Sequence, residues 1–490
     1  MIKIYLLLSI CIGLLAGCTQ SLPDTRKANE EIGIFPDYRQ VTIPPNMAPM
    51  NFKLTEYAEA IAVLSGGGYS FRTDTKDGKF CFSESKWKQL IENLNGDSVL
   101  VTVYAKKGAE WFCFNPFAMY VAKEMMDSYL VYRRIAPVYR MWNEMGIYQR
   151  CLENFTEKDL ITNKQTHNNC MNCHSFCMQD PKKMLFHQRS IHAGTYLVVD
   201  GKIEKLNTKT KETISPLVYP SWHPSGKLVA FSTNETKQDF HYSDPNRVEV
   251  FDHASDIVLY DIEKHQIFTD SRFRSKDNLE TFPTFSPDGK RLYFCSASMK
   301  QMPEGFKDIR YNLLSVSFDE NTGRFGAKID TLFSAEKEGR SAKFPRISPD
   351  GKFLLFTVSD YGNFSIWHKD ADLRMVDLAT QAVDSLRNVN SDDVDSYHSW
   401  SSNSRWFVFS SRRMDGLYTR PYICHVDESG KTGKPFLLPQ EDPDYYDRSL
   451  FSFNIPEFVK GEVEINKNEL LHITKHDKGI NVSFKSDANN

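Results

Sequence analysis

Residues 282–296 read FPTFSPDGKRLYFCS, and their reading decides the fold. An aromatic residue and a proline open the stretch, and a short strand runs into Ser-Pro-Asp-Gly. That tetrapeptide is strong turn chemistry. Proline presets φ, aspartate bonds back to the backbone, and glycine accepts positive φ. A second strand of large apolar residues follows. The pattern recurs as YPSWHPSGKLVAFST from Tyr219, FPRISPDGKFLLFTV from Phe344 and YHSWSSNSRWFVFSS from Tyr397. In the last, Ser401-Ser402-Asn403-Ser404 replaces the usual turn. Self-similarity at such a period marks a repeat architecture. Further strand-like runs follow each unit at Asp256, Tyr311, Ala371 and Tyr422. Four short antiparallel strands per unit make a propeller blade.

These repeats resemble the TolB-type propeller repeats of periplasmic proteins. The resemblance covers residues 195–460 and implies a five- or six-bladed β-propeller. It implies little about activity, because propellers host binding and catalysis alike. Residues 42–116 alternate short apolar runs with Gly and Asp turns, which predicts a β-sandwich-like domain of the immunoglobulin or fibronectin kind. Within it, ESKWKQLIENLNG also reads as a short helix. Residues 117–194 change character. FAMYVAKEMMDSYLVYRRI places Met125, Tyr129 and Tyr132 at helical spacing, with Pro137 as the stop. The whole is expected to be mainly β, with a short helical segment before the propeller and a strand or tail over 461–490.

The helical segment carries Cys170-Met171-Asn172-Cys173-His174. Composition alone predicts about 0.005 chance C-x-x-C-H matches in such a chain. The spacing lets two thiols reach the vinyl groups of one porphyrin, while the adjacent imidazole meets the iron. The expectation is one haem c, with Cys170 and Cys173 in thioether linkage and His174 as proximal ligand. Met184 is the first distal candidate; His187 and His192 are alternatives. Two readings compete. Cys170, Cys173 and Cys177 with His167 or His174 can hold zinc. The cysteine pair can also be a redox disulfide.

At the start of the chain, Lys3 precedes an apolar run and then Leu15-Ala16-Gly17-Cys18. The run is too short to span a bilayer and reads as a signal peptide over 1–17. The tetrad resembles a bacterial lipobox. It implies lipidation at Cys18, a tether over 18–41, and a membrane-anchored place in the cell envelope, periplasmic or outer-membrane. The other cysteines include Cys81 and Cys113, which can pair across a small sheet or stand equally well as single buried thiols, and no pairing is assigned. With the segments YLVYRRIAPVYRMW, NCMNCHSF and SSRRMDGLYTRPY, the chain is similar to exported lipoproteins of Bacteroidetes described as TolB-like or as cytochrome c biogenesis proteins. No biogenesis role is carried over, because the chain lacks repeated membrane spans.

A net charge of −3 and the absence of a basic run argue against nucleic acid as a partner. Glu249, Asp252 and Asp256 form an acidic cluster suited to calcium, with blade-edge turns as the favoured alternative. Arg412, Arg413, Asp415 and Arg420 can grip a carboxylate or phosphate, or serve as solvated charge. No G-x-S-x-G elbow, H-E-x-x-H or phosphate loop is present, so no catalytic residue is assigned. The reading is a lipid-anchored monohaem c-type protein. Its role would be electron transfer, or haem-linked binding of an envelope partner docked on the propeller. The alternatives are a non-redox interaction scaffold and a haem-dependent oxidoreductase.

Overall fold

The computed structural model describes residues 21–94, 96–136 and 144–485, with Cys173 described at its backbone. The signal peptide, the lipobox with Cys18, and Pro137 lie outside the described residues. The chain is mainly β and propeller-like. Among the described residues, six sheets follow one another, each with four antiparallel strands, and the second and third gain a fifth, parallel strand from Ile480–Asn481 and Ser483–Phe484. Their inner strands are Ser452–Val459, Met171–Phe176, Val218–Trp222, Asn278–Phe285, Ser341–Ile347 and Asp395–Trp400, for the first to sixth sheets. Each inner strand packs beside the next, and Ser452–Val459 packs beside both its neighbours. The ring is closed by the C-terminal strand Ser452–Val459, which pairs with Tyr129–Ile135 in the first sheet. Closure buries the apolar faces that the terminal sheets of an open array would expose.

Two expectations change here. Residues 117–135 are not helical: Phe117–Val121 and Tyr129–Ile135 are strands. The burial of Phe117, Met119 and Val121 alternates with the half-buried Ala118 and the exposed Tyr120, a period of two that overrides the looser helical spacing. The strands of the ring also begin at Tyr129, well before residue 195, because the first sheet takes three of its strands from this segment.

The N-terminal region forms a seven-stranded sheet and a three-stranded sheet that share one apolar core. ESKWKQLIE is a helix, Glu84–Glu92, with Trp87, Leu90 and Ile91 buried at helical spacing. Trp87 donates its indole N–H to the Met47 carbonyl at 2.9 Å. Cys81 and Cys113 are free thiols, not a pair.

All six inner strands are interrupted near the middle. In the first five sheets, two residues oppose one on the neighbouring strand: Ile455-Pro456, Cys173-His174, Tyr219-Pro220, Phe282-Pro283 and Phe344-Pro345. In the sixth, Tyr397 alone is extra. These are β-bulges, which suit proline because the bulged residue need not donate to the ladder. Tyr219, Phe282, Phe344 and Ile455 take φ of 51 to 54°, a conformation that costs on the order of 1 kcal/mol outside glycine. Packing offsets that cost. The rings of Tyr219, Phe282, Phe344 and Tyr397 meet in sequence, at centroid distances of 4.6, 4.2 and 4.9 Å.

Candidate functional site

The C-x-x-C-H stretch is not a loop. Met171–Phe176 is the inner strand of the second sheet, and its residues occupy repeat positions. Asn172-Cys173-His174-Ser175-Phe176 stands where the other sheets carry Val218-Tyr219-Pro220-Ser221-Trp222 and Ser396-Tyr397-His398-Ser399-Trp400. Cys177 takes the place of the turn serine. Its N–H bonds the Lys183 carbonyl at 3.0 Å, as that of Ser348 bonds Phe353 at 2.8 Å.

This placement overturns the haem expectation. His174 is fully buried, and desolvation holds its pKa down at about 3. The backbone of Val131 and Ile455 offsets that burial only in part, and neither ring nitrogen makes a well-formed hydrogen bond. His398 sits at the equivalent position, donates Nε2 to the Leu355 carbonyl at 3.0 Å and is likewise held at about 3. The proximal-ligand candidate is therefore an inter-sheet packing residue. Met184 is wholly buried on the adjacent strand, paired with Phe176. His187, paired with Asn172 on that strand, shares Nδ1 with the Thr195 hydroxyl at 2.8 Å. His192 is paired with His167 at 2.9 Å near the surface. Cys170 is buried in one apolar core beside Met171, Phe176 and Met184, where a porphyrin would have to lie. These residues do not fit a haem.

Zinc fails for a related reason. Cys170 and Cys177 belong to different cores, and burial pushes the Cys177 thiol up to about 11. Among the described residues, no group of three or more His, Cys, Asp and Glu side chains is placed to hold a metal ion. That finding also removes the calcium reading of Glu249, Asp252 and Asp256.

The arginine cluster is internal bracing. Arg413 pairs with Asp395 at 2.8 Å, and Arg412 donates to the Ile366 carbonyl and lies over the Trp367 ring. Arg420 donates to the carbonyls of Tyr446 and Ser449. Asp415 accepts the N–H groups of Leu417 and Tyr418.

The acidic residues lead to a region that sequence reading undervalued. In the third sheet, Leu228–Phe240 and Val248–Asp261 run 13 and 14 residues, against 8 and 7 for the second strands of the next two sheets. They project as a hairpin arm from the end of the ring where second strands turn to third. Glu249 on the arm accepts from Tyr361 Oη at 2.5 Å and meets His368 Nε2 at 3.0 Å. Asp252 Oδ2 accepts from Asn234 at 2.9 Å and Asn363 at 2.6 Å. Phe251 stacks on Phe306 at 5.4 Å. The arm is thus clamped onto the connections of the fourth and fifth sheets.

Burial sets the electrostatics of this end. Asp252 is enclosed, and desolvation raises it to about 7 despite three hydrogen-bond donors. Glu280 rises to about 8 through desolvation and the nearby Asp256 charge. Lys343, also fully buried, is lowered to about 7 by desolvation, partly offset by Asp370. Its Nζ donates to Ser359 and to the Tyr361 carbonyl. Asp256 stands apart from the other two acids, facing Arg274 at 3.9 Å. At the arm's tip Phe240 is 51% and Tyr242 97% exposed.

No family model matches the chain, and no curated protein matches it. Solved structures do. The tricorn protease aligns over 70% of this chain and 34% of its own, at 11% identity and TM-score 0.34. A Mycobacterium tuberculosis puromycin-hydrolyzing peptidase aligns over 71% and 52%, at 12% and 0.34. Prolyl oligopeptidase B from Galerina marginata aligns over 69% and 42%, at 11% and 0.34. The chain spans about a third to a half of these proteins. All three are peptidases by name. The likeness is one of propeller-containing fold, and nothing of their activity is carried over.

Proposed function

We propose that this chain is a partner-binding β-propeller of the cell envelope, with six blades and an accessory N-terminal β-sandwich, tethered through lipid on Cys18. The repeats' resemblance to TolB-type propellers and the lipobox support that placement. The observation that carries the reading is the arm. A hairpin that extends a blade by several residues orders its backbone at a cost of about 1–2 kcal/mol per residue. Here that order is secured by the Glu249–Tyr361–His368 and Asp252–Asn234–Asn363 contacts. The arm nevertheless leaves Phe240 and Tyr242 in solvent. Rigid aromatic residues lose little entropy on binding and are favoured anchors at protein interfaces.

Site-specific photo-crosslinking tests this in living cells. A benzoylphenylalanine at position 242 is expected to yield one discrete adduct, and the same residue at Leu100, exposed on the N-terminal sheet, is not. Absence of an adduct from position 242, or identical ladders from both, sinks the proposal.

A further inference from the structure

A sheet ends in edges, and an edge left open is a template for another strand. In this ring the outer edges are managed. The outermost strands of the fifth and sixth sheets, Val383–Asp384 and Phe436–Leu437, have two residues each. Those of the second and third are covered by Ile480–Asn481 and Ser483–Phe484. Those of the first and fourth, Glu157–Thr162 and Arg324–Phe333, are broken by register shifts. Short, covered and bulged edges all resist pairing.

The arm is the exception. Leu228–Phe240 pairs with the inner strand Val218–Trp222 only as far as Ser232. From Thr236 to Phe240 it pairs with the other half of the arm without a shift, and its other edge has no strand beside it among the described residues. Two bonds fix which groups lie on that edge. The Asn234 N–H leaves the arm for Ser215 Oγ at 3.0 Å, and the His241 N–H crosses the arm to the Arg247 carbonyl at 2.9 Å. Strand groups alternate, so the N–H and C=O of Thr236, Gln238 and Phe240 point outward. Among the described residues no backbone group pairs with them. Glu235, Thr236, Lys237, Gln238 and Phe240 are exposed and Asp239 is half-buried, so the approach to that edge is open.

The charges select the occupant. Glu235, Lys237 and Asp239 share one face of the strand and alternate in sign. Laid antiparallel against itself about Gln238, the strand sets Lys237 opposite Asp239 of the second copy, twice, and Glu235 opposite its His241. Thr236 then faces Phe240, and the outward groups meet as hydrogen-bonded pairs. Centred on Lys237 or on Asp239 instead, the strand would oppose like charges, which destabilises a cross-strand pair. We propose that the arm pairs with the arm of a second copy of this chain, edge to edge and antiparallel about Gln238, into one four-stranded ribbon. This rests on the reading of the arm as an interface and names its partner.

Sedimentation equilibrium of the purified full chain in density-matched detergent reads the dimer, and disulfide trapping reads its register. Trapping uses a Cys81→Ser background, because Cys81 is an exposed thiol. Residues opposed at a hydrogen-bonded position lie about 5.5 Å apart at Cα, within reach of a disulfide. Gln238→Cys is therefore expected to give a linked dimer on mild oxidation. Thr236→Cys, whose counterpart lies four residues along the ladder, is not. Lys237→Glu should weaken the dimer about tenfold by setting glutamate opposite aspartate, and adding Asp239→Lys should restore it. A chain that is monomeric at every concentration, equal trapping at 236 and 238, or a Lys237→Glu dimer as tight as wild type overturns the proposal. An adduct of position 242 with a different protein, beside a monomeric chain, overturns it too and leaves the partner-binding reading standing.

Discussion

The inner strands of the second and fifth sheets share a backbone and differ in chemistry. Both carry a two-against-one bulge, at Cys173-His174 and at Phe344-Pro345. In the fifth, the bulge places a large ring between Phe282 and Tyr397. In the second, the same bulge carries the half of C-x-x-C-H that reads as haem attachment in isolation. The difference teaches that a motif is chemistry only if its backbone frees the side chains. Here the histidine is spent on packing against the first sheet, as His398 is against the fifth.

The comparison can be broken most severely at the ring. Phe344→Ala removes two of its tilted ring contacts and is expected to cost about 3–5 kcal/mol in urea unfolding. A loss below about 1 kcal/mol would mean that the aromatic layer does not hold the inner strands.

His174→Ala and His398→Ala come next, each expected to cost about 1–3 kcal/mol through lost packing and exposed backbone carbonyls. The two losses should agree within about 1 kcal/mol, because the positions are equivalent. A silent His174→Ala beside a costly His398→Ala would dissolve the equivalence.

Protonation sharpens the contrast between the inner strands and the arm. His398 is lowered to about 3 from an ordinary 6.5, so its contribution is present above pH 6.5 and is lost as pH falls toward 3. Asp252 is raised to about 7 from 3.8, so its folded form holds a proton that the unfolded chain has released. Its contribution is present below pH 3.8 and is lost as pH rises to 7. Melting temperatures from pH 4 to 7 should therefore separate the variants. The advantage of wild type over His398→Gln should grow with pH, and that over Asp252→Asn should shrink. Parallel profiles would show that neither group is buried in its neutral form.

The smallest expected effect is none. Protein made alongside a cytochrome c maturation system should carry no covalent haem in a pyridine haemochrome spectrum. One haem per chain would restore the thioether role to Cys170 and Cys173.

Local chemistry explains what was legible beforehand. Ser286-Pro287-Asp288-Gly289 and Ser348-Pro349-Asp350-Gly351 specify their turns without help, so the units from Phe282 and Phe344 stood out. The second unit was hidden because Cys177-Met178-Gln179-Asp180 lacks proline and glycine, although Met178 and Gln179 still take positive φ. Matching Cys173-His174-Ser175-Phe176 to Tyr397-His398-Ser399-Trp400 would have found it. The closing strand was hidden differently. Ser452–Val459 keeps the Ile455-Pro456 bulge, but its partners lie more than 300 residues earlier, and no local signal names them. The arm's acids were visible as a cluster. Their separation was not, because a register shift near Thr236 sends Glu249 and Asp252 to the fifth sheet and leaves Asp256 beside Arg274.

The chain's own chemistry therefore settled the repeat, its strands and its turns, since these depend on φ preferences and alternation within a few residues. Which residues became neighbours across the axis was decided only in three dimensions. Ring closure, the aromatic layer and the burial of His174 all join segments tens to hundreds of residues apart. Their energies come from packing and desolvation, which no short stretch of sequence contains.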